Sequence, residues 1–292
     1  MSSEDFPAVG VIGGSGLYQM EALTEVRELT IQTPFGAPSD VIFAGKMGNR
    51  PVFFLPRHAR GHRLLPTEIP HRANLYALRS LGVRFLLSVG AVGSLKEEFP
   101  PRHLVLPDQF FDRTSRRSEH TFFGGGIVAH AGFAEPTSAP LRALVYEAAR
   151  EMGLPVHNGG TYVNMDGPAF STRAESHANR QFGFDVIGMT NLPEAKLARE
   201  AEIAMASVAF VTDYDCWKVE EEPVSVQTVI GHLLANAETA KEILARVIPR
   251  LPTVADWPEH RALDTAIITP PDLWPEATKT RLAAVLGHRV VR

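Results

Sequence analysis

Short apolar runs alternate with longer amphipathic segments along most of the chain. The runs are rich in Val, Ile, Leu and Phe and end at glycine or polar residues, which is typical of strands that lead into turns. The segments between them place apolar residues three and four positions apart, as one face of a helix requires. This alternation predicts an α/β fold in which helices pack on a sheet.

The apolar runs predict strands at Ala8–Gly14, Pro51–Arg57, Phe85–Ala91, Asp185–Thr190 and Met205–Asp213. The amphipathic segments predict helices at Pro70–Gly82, Ser138–Gly153, Pro193–Glu202 and Ser225–Leu251. Proline and glycine separate these elements at ordinary loop lengths. Because the chain has no internal repeat and no long low-complexity linker, we expect one domain over residues 1–250.

The end of the chain differs from the rest in composition. Residues 251–292 are rich in proline and tryptophan, as in "TPPDLWPEA", yet apolar residues continue to Val291. We therefore expect a C-terminal extension that packs on the body of the protein or on a neighbouring subunit.

Composition narrows the class of protein. With 292 residues, a net charge of -4 and a pI near 6.3, the chain lacks the basic character of a nucleic-acid binder. One cysteine excludes an intramolecular disulfide and a Cys-based zinc site, and it fits a reducing compartment. The acidic N-terminus does not resemble a signal peptide, and no apolar run is long enough for a membrane helix. We expect a cytoplasmic protein without nucleic-acid or membrane partners.

Two glycine-rich turns follow predicted strands. In "VIGGSGL" the backbone N–H groups and the Ser15 hydroxyl are suited to an anion. The third glycine of a dinucleotide fingerprint falls at Gln19, so an NAD site is disfavoured, whereas a purely structural turn stays an equal interpretation. In "SVGAVGSL" the small residues Gly90 and Ala91 allow backbone amides to approach a ligand closely.

Arginine and histidine follow another predicted strand, in "FLPRHARGH". Ligands of open α/β sheets collect beyond the carboxyl ends of strands, and Arg57 and His58 lie at such an end. The arginine fork and the short histidine donor suit phosphate. A histidine metal site lacks an acidic third ligand, and an ordinary surface loop is the alternative.

Two aspartates stand at the end of the last predicted strand, in "TDYDCW". If the chain is extended there, Asp213 and Asp215 point to the same side, with their Cα atoms roughly 6 to 7 Å apart. Two partly buried carboxylates at that separation discourage joint ionisation, so one keeps a proton near neutral pH. Such an acid suits proton donation to a leaving group, while two solvated loop acids are the alternative.

Eight motifs occur in the order in which they are found in the trimeric purine nucleoside phosphorylases, and the chain resembles that family from about Val9 to Ile248. They are "VIGGSGL", "TPFGAPSD", "RHARGH", "GAVGSL", "DQFFDRT", "GPAFSTRAES", "MTNLPEAKLARE" and "TDYDCW". The resemblance is greatest to the branch that acts on 5'-methylthioadenosine. It implies a single-domain nucleoside phosphorylase-like α/β fold with a central mixed sheet flanked by helices.

The resemblance also implies roles for particular residues. The phosphate ligands are Ser15, Arg57, His58 and Thr190, completed by Gly90 and Ala91. Met189 packs on the ribose and Phe170 on the purine, although both residue types are more often core. Asp213 and Asp215 read the purine at N7 and the 6-amino group. Relatives that use 6-oxopurines carry asparagine at the position of Asp213, so aspartate favours adenine.

The remaining implied residues concern the far end of the sugar and the assembly. Val226, Val229 and Ile230 line an apolar slot for the 5' substituent, although their one-face spacing is equally typical of core. His130 is the counterpart of a histidine that closes the neighbouring subunit's site, which implies a homotrimer. Ala169 and Gly90 depart from the polar residues usual in relatives, and we expect these departures to affect affinity.

The expected activity is phosphate-dependent cleavage of 5'-methylthioadenosine to adenine and 5-methylthioribose 1-phosphate, a salvage reaction. Inorganic phosphate is a co-substrate, and no metal or organic cofactor is expected. Two alternatives stay open. One is a related phosphorylase that prefers adenosine or 6-oxopurine nucleosides, and the other is a non-catalytic nucleoside-binding module.

Overall fold

The structure, a computed structural model, describes residues 6–14, 17, 19–218 and 226–291, and only the backbone of residues 226–235 and 291. Its strands are β1 (Ala8–Gly13), β2 (Thr24–Leu29), β3 (Ile42–Met47), β4 (Arg50–Pro56), β5 (Val83–Ser94), β6 (Leu104–Leu106), β7 (Gln109–Arg113), β8 (Val156–Asn158), β9 (Thr161–Met165), β10 (Val186–Gly188) and β11 (Ala204–Asp213). Its helices are α1 (His71–Ser80), α2 (Ala139–Glu151), α3 (Arg173–Gln181), α4 (Asn191–Glu200), α5 (Val226–Val247), α6 (Glu276–Arg281) and α7 (Ala283–Leu286). Short 3-10 turns lie at Pro66–Glu68, Arg117–Glu119, Ile248–Arg250, Pro258–Arg261, Pro271–Leu273 and Gly287–Val291.

The described strands form one mixed sheet. Its main path runs β2-β3-β4-β1-β5-β10-β9-β7, and β11 pairs with β5 and carries β6 and then β8. Four neighbouring strands, β4, β1, β5 and β11, are mutually parallel. Their carboxyl ends therefore meet at one edge of the sheet, which is where ligands bind in α/β proteins.

Helices cover both faces of this sheet. Residues of β5 alternate between the two faces, so that Phe85 and Leu87 join one buried cluster and Leu86 joins another. The first cluster includes α2 and α5, and the second includes α1, α4 and α7. The predicted α/β class with a central mixed sheet flanked by helices is confirmed.

The C-terminal residues contribute to both clusters. Trp257 contacts Phe85 edge to face with ring centroids 4.9 Å apart. Trp274, Leu282 and Val285 are buried in the second cluster. The domain boundary near residue 250 and any contact with a neighbouring subunit stay predictions.

Among the residues that the structure describes, no helix is long and apolar enough to cross a bilayer.

Candidate active site

One cavity lies at the edge where the parallel strands end. Its volume is about 520 Å³. The residues predicted from sequence that line it are Arg57, His58, Gly90, Ala91, Phe170, Met189, Thr190, Asp213 and Asp215. Because β4, β1, β5 and β11 are adjacent and parallel, segments far apart in sequence meet there.

The Arg57 guanidinium is buried beside a carboxylate. Its Nε donates to Glu194 Oε1 at 2.5 Å and its Nη2 to Glu194 Oε2 at 3.1 Å. Arg57 is 3% exposed and Glu194 is fully buried. Nη1 donates to the Val89 carbonyl at 2.9 Å and Nη2 to Ser88 Oγ at 2.7 Å. These bonds fix the plane of the guanidinium group. They leave one Nη1 N–H without an acceptor among the described residues.

Glu194 is held in turn by groups around the start of α4. Ser88 Oγ donates to Glu194 Oε2 at 2.6 Å, and Asn191 Nδ2 donates to Ser88 Oγ at 2.9 Å. Burial alone raises the pKa of Glu194, but Arg57 and nearby polar groups outweigh it, so that the pKa is lowered. The carboxylate is therefore charged, and it neutralises Arg57.

His58 is oriented by its own loop. Its Nδ1 lies 2.8 Å from the Leu64 carbonyl oxygen, and its ring stacks on His62 with centroids 4.2 Å apart. Burial is the main cause that lowers the pKa of His58 to about 4. Burial therefore favours the neutral ring, and a role for His58 as a phosphate ligand stays a prediction.

The Asp213–Asp215 segment forms a turn rather than an extended strand. β11 ends at Asp213, and Asp215 has a left-handed φ of 52°. The Asp213 Oδ1 accepts from the Asp215 backbone N–H at 2.8 Å, and its Oδ2 accepts from Thr212 Oγ1 at 2.6 Å. The assumption of extended chain is therefore wrong, because the Asp213 side chain closes a local turn. Both aspartates nevertheless line the cavity.

The surroundings of Asp215 favour the protonated form of its carboxyl group. Burial raises its pKa, while the Ser176 and Ser171 hydroxyls act in the opposite direction. Its buried Oδ2 makes no hydrogen bond of normal geometry within the described part of the chain. An uncharged carboxyl group at this position can donate a hydrogen bond into the cavity.

Two contacts fix the turn against the end of β5. A Cβ atom at Gly93 would lie 3.0 Å from Asp213 Oδ1, so glycine permits this close approach. The Trp217 indole Nε1 donates to the Ser94 carbonyl at 2.8 Å. The Arg180 guanidinium lies 3.4 Å from the centre of a Trp217 ring, which is a cation–π contact.

Phe170, Met189 and Thr190 also line the cavity. Phe170 is 48% exposed, so its ring face is accessible to a ligand rather than packed in core. Gly167, with φ 66°, allows the Met189 sulfur to pack closely, since a Cβ atom there would lie 2.4 Å from it. Thr190 precedes α4 as its N-cap residue.

Some predicted residues are not brought together here. Ser15 lies outside the described residues, as do the side chains of Val226, Val229 and Ile230, whose backbone forms the start of α5. His130 is exposed and does not line the cavity of its own chain; its backbone N–H donates to the Ala266 carbonyl at 2.8 Å. Its contribution to a neighbouring subunit stays a prediction.

Sequence reasoning missed the residues that act through others, chiefly Glu194, Ser88 and Leu64. Glu194 stands in "NLPEAK", where an acid in the first helical turn is ordinary. The position of Glu194 was a usable signal. Helix α4 begins shortly after β10 ends, and Thr190 is its N-cap residue. The Leu64 carbonyl carries no side-chain signal at all.

Comparison with known proteins identifies relatives of the whole chain. A model of the Phosphorylase superfamily matches residues 8–249. S-methyl-5'-thioadenosine phosphorylase of Geobacter sulfurreducens is 52% identical, with 97% of this chain and 99% of that protein covered. The protein of the same name from Gloeobacter violaceus is 55% identical, with coverages of 96% and 95%.

Solved structures give the same result. A methylthioadenosine phosphorylase from an antarctic soil metagenomic library superposes with a TM-score of 0.91 at 47% identity, covering 97% of this chain and 99% of that one. Methylthioadenosine phosphorylase from Schistosoma mansoni, in complex with adenine, gives 0.81 at 34% identity, covering 96% and 97%. The expected family is confirmed, and the chain belongs to the phosphorylase superfamily.

Proposed function

We propose that the protein cleaves 5'-methylthioadenosine with inorganic phosphate and releases adenine and 5-methylthioribose 1-phosphate. The observation that carries this proposal is one cavity that combines an arginine–histidine corner with a pair of aspartates. The relatives named methylthioadenosine phosphorylase, at about half identity over nearly the whole chain, support the same substrate.

The anion corner, which is the part of the cavity lined by Arg57 and His58, holds the phosphate that acts as the nucleophile. As the C1'–N9 bond opens, positive charge develops on the sugar and negative charge on the purine. Phosphate bound by Ser15, Arg57, His58 and Thr190, above the small residues Gly90 and Ala91, attacks C1' from the face opposite the purine. Its charge stabilises the cationic carbon and its fixed position removes the entropy cost of encounter.

The aspartate pair activates the leaving group. Asp213 and Asp215 face N7 and the 6-amino group of adenine, with Phe170 on the purine ring and Met189 on the ribose. A proton held by the pair passes to N7, so adenine leaves as a neutral base. Because the two carboxyl groups adjoin, the proton belongs to the pair, and burial of Asp215 favours its retention.

The finer assignments complete the proposal. Val226, Val229 and Ile230 accept the methylthio group, and His130 of one subunit closes the site of another in a homotrimer. The protein acts in the cytoplasm in purine and methionine salvage. The mechanism uses phosphate as co-substrate and requires no metal or organic cofactor.

The experiment is adenine release from 5'-methylthioadenosine, measured with and without phosphate. We expect release only with phosphate, and faster than from adenosine or inosine. Release without phosphate would indicate a hydrolase. Binding of the nucleoside without any release would indicate a binding module, and preference for inosine would indicate a 6-oxopurine phosphorylase.

A further inference from the structure

In the anion corner of the cavity, the Arg57 guanidinium is paired with a carboxylate. The Arg57 guanidinium and the Glu194 carboxylate form a bidentate pair whose side chains are only 4% and 1% exposed. Glu194 therefore offsets part of the Arg57 charge, although an anion in contact with the Arg57 Nη1 atom lies nearer to the guanidinium than to the carboxylate. The groups with the largest electrostatic effect on the pKa of His58 are Arg57, His62 and Glu194, and His71 interacts with His58 as well. Arg63 also lines the cavity, but phosphate and sulfate carry similar negative charge, so discrimination between them depends more on hydrogen-bond geometry than on net charge.

The hydrogen-bond role of His58 follows from its contact with Leu64. A carbonyl oxygen can only accept, so the Nδ1 atom, 2.8 Å from the Leu64 oxygen, carries the hydrogen. In a neutral imidazole the other nitrogen then has a free lone pair. Burial lowers the pKa of His58 to about 4, so the neutral form prevails near pH 7. Nε2 is therefore a hydrogen-bond acceptor.

The loop prevents the ring from reversing this role. The backbone N–H groups of Arg63 and Leu64 donate to the His58 carbonyl at 2.8 and 3.1 Å. The stacked His62 ring covers one face of the imidazole. Turning Nδ1 away would leave the Leu64 carbonyl without this donor, which disfavours the flipped ring.

We propose that the Leu64 carbonyl makes His58 a specificity-determining acceptor, which selects a tetrahedral oxyanion that carries its own hydrogen. Phosphate presents a P–OH group to Nε2 in both forms that exist near neutral pH. Sulfate has no hydrogen to donate, so its oxygen meets the Nε2 lone pair unless His58 first takes up a proton. This inference rests on the proposed phosphate site and extends it to the choice between anions.

The test is calorimetric titration of the full-length protein with inorganic phosphate and with sulfate at pH 7.5. We expect sulfate to bind about 100-fold or more weakly than phosphate, because a site built for a donor hydroxyl rejects an analogue without it. Repeating the titrations near pH 6 in buffers of different ionisation enthalpy measures proton uptake. Sulfate binding should take up about one proton and phosphate binding none.

Two variants separate the role of His58 from general effects. His58→Gln offers an amide N–H to the anion, and we expect the sulfate-to-phosphate ratio of dissociation constants to fall to within about tenfold. His157→Gln is the control, since His157 bonds another histidine, His103, at 2.9 Å and does not line the cavity. It should keep the ratio of the unchanged protein.

Similar affinities of the unchanged protein for both anions, without proton uptake, would overturn the inference. So would an absence of phosphate binding at every pH. The adenine-release assay keeps the two proposals distinct. Phosphate-dependent adenine release without selectivity between phosphate and sulfate would contradict only the role of His58. Anion selectivity without adenine release would contradict only the proposed reaction.

Discussion

At the scale of single residues, the two halves of the cavity use charge in opposite ways. In the half of the cavity proposed to bind the anion, the buried Arg57 is paired with Glu194, which holds the guanidinium in place. In the half of the cavity proposed to hold the purine, Asp215 is half-buried near Asp213, and this burial raises the pKa of Asp215. One half is therefore suited to hold an anion, and the other to hold a proton.

Asp213→Asn tests the purine half. Asparagine keeps an oxygen for the Asp215 N–H but offers an N–H where adenine needs an acceptor. We expect kcat/KM for 5'-methylthioadenosine to fall by about 100-fold or more, and activity on inosine to rise relative to it. Steady-state assays on both nucleosides measure this.

The matched control is Asp108→Asn. Asp108 also accepts a backbone N–H, from Gly160 at 2.9 Å, but it does not line the cavity. Its replacement should leave the ratio of the two activities unchanged. If Asp213→Asn behaves like this control, the proposed reading of the base is wrong.

Sequence patterns identify the residues that line the cavity better than the residues that hold them. Arg57 and Asp213 stand at strand ends, and strand ends are visible from apolar runs. Glu194 looks like an ordinary helix-start acid, and its contact with Arg57 bridges 137 positions. The left-handed turn at Asp215 depends on a hydrogen bond between neighbours, which an apolar pattern does not encode.

At the scale of elements, the turn after β11 is fixed at its far end by Trp217. Its indole N–H bonds the Ser94 carbonyl at the end of β5, and its ring lies against Tyr214 and Arg180. The aspartates thus lie between a strand end and an anchored indole. Such anchoring holds side chains in the orientation that the reaction needs before the substrate binds.

Trp217→Phe tests this anchoring. The indole N–H is lost and the Ser94 carbonyl loses its donor, which costs about 1–3 kcal/mol if the carbonyl stays buried. We expect kcat/KM for 5'-methylthioadenosine to fall about tenfold from misplaced aspartates, with little change in the KM for phosphate. Kinetics with each substrate varied in turn measure both effects.

Trp274→Phe removes an equivalent bond elsewhere. The Trp274 indole donates to the Thr269 carbonyl at 2.8 Å, outside the cavity. It should lower thermal stability by a comparable amount without the loss in kcat/KM. Equal kinetic losses in both variants would contradict a positioning role for Trp217.

A carboxyl group at the end of α4 gives the fold a pH dependence. Glu200 accepts from Thr121 Oγ1 and from the Phe122 backbone N–H, each at 2.7 Å. Burial is the main cause that raises its pKa to about 7. The folded state therefore favours the protonated form, and this stabilisation is complete below about pH 4.5 and is lost as the pH rises to about 7.

Glu200→Gln should remove that dependence. We expect the difference in unfolding free energy between the variant and the unchanged protein to shift by about 3 kcal/mol from pH 4.5 to pH 8, in favour of the variant at high pH. Urea unfolding across this range measures it. Glu276→Gln, whose side chain is 80% exposed, should show a constant difference, and a constant difference for Glu200→Gln would contradict the assignment.

Among the elements, those with strong apolar patterns were the predictable ones. The strand predicted at Met205–Asp213 is β11, which begins one residue earlier. Strand β2 escaped prediction because its residues are nearly all exposed, and β6 and β8 because they have three residues each. Helix α3 buries only Ser176 and Asn179, so it has no apolar periodicity to detect.

At the scale of the whole molecule, the C-terminal residues are tied to the body by charge as well as by apolar packing. Arg289 donates to both oxygens of Glu202, at 3.2 and 2.8 Å, and also contacts Asp264. Glu202 is 3% exposed and follows α4 closely in the chain. Its buried charge depends on a cation contributed from almost 90 positions away.

Arg289→Ala tests this dependence. Removing Arg289 takes away the charge-assisted hydrogen bonds of Glu202, while the Leu263 N–H still donates to it and Arg79 and Arg84 still interact with its charge. We expect a cost of about 1.5–3 kcal/mol. We expect a clear fall in the denaturation midpoint, measured by urea or heat. The exposed Arg261 supplies the control, since Arg261→Ala should change stability by no more than about 0.5 kcal/mol. Equal stability of the two variants would show that Glu202 does not need Arg289.

The anchored turn has a further consequence for how such a protein can diversify. Residues 213–217, which we propose to read the base, are fixed through Trp217 to β5, whereas Arg57 is fixed through Glu194 to α4. The two recognition tasks thus share a cavity but not their supports. We therefore expect nucleobase preference to change through substitutions within residues 213–217 alone, while phosphate binding stays unchanged.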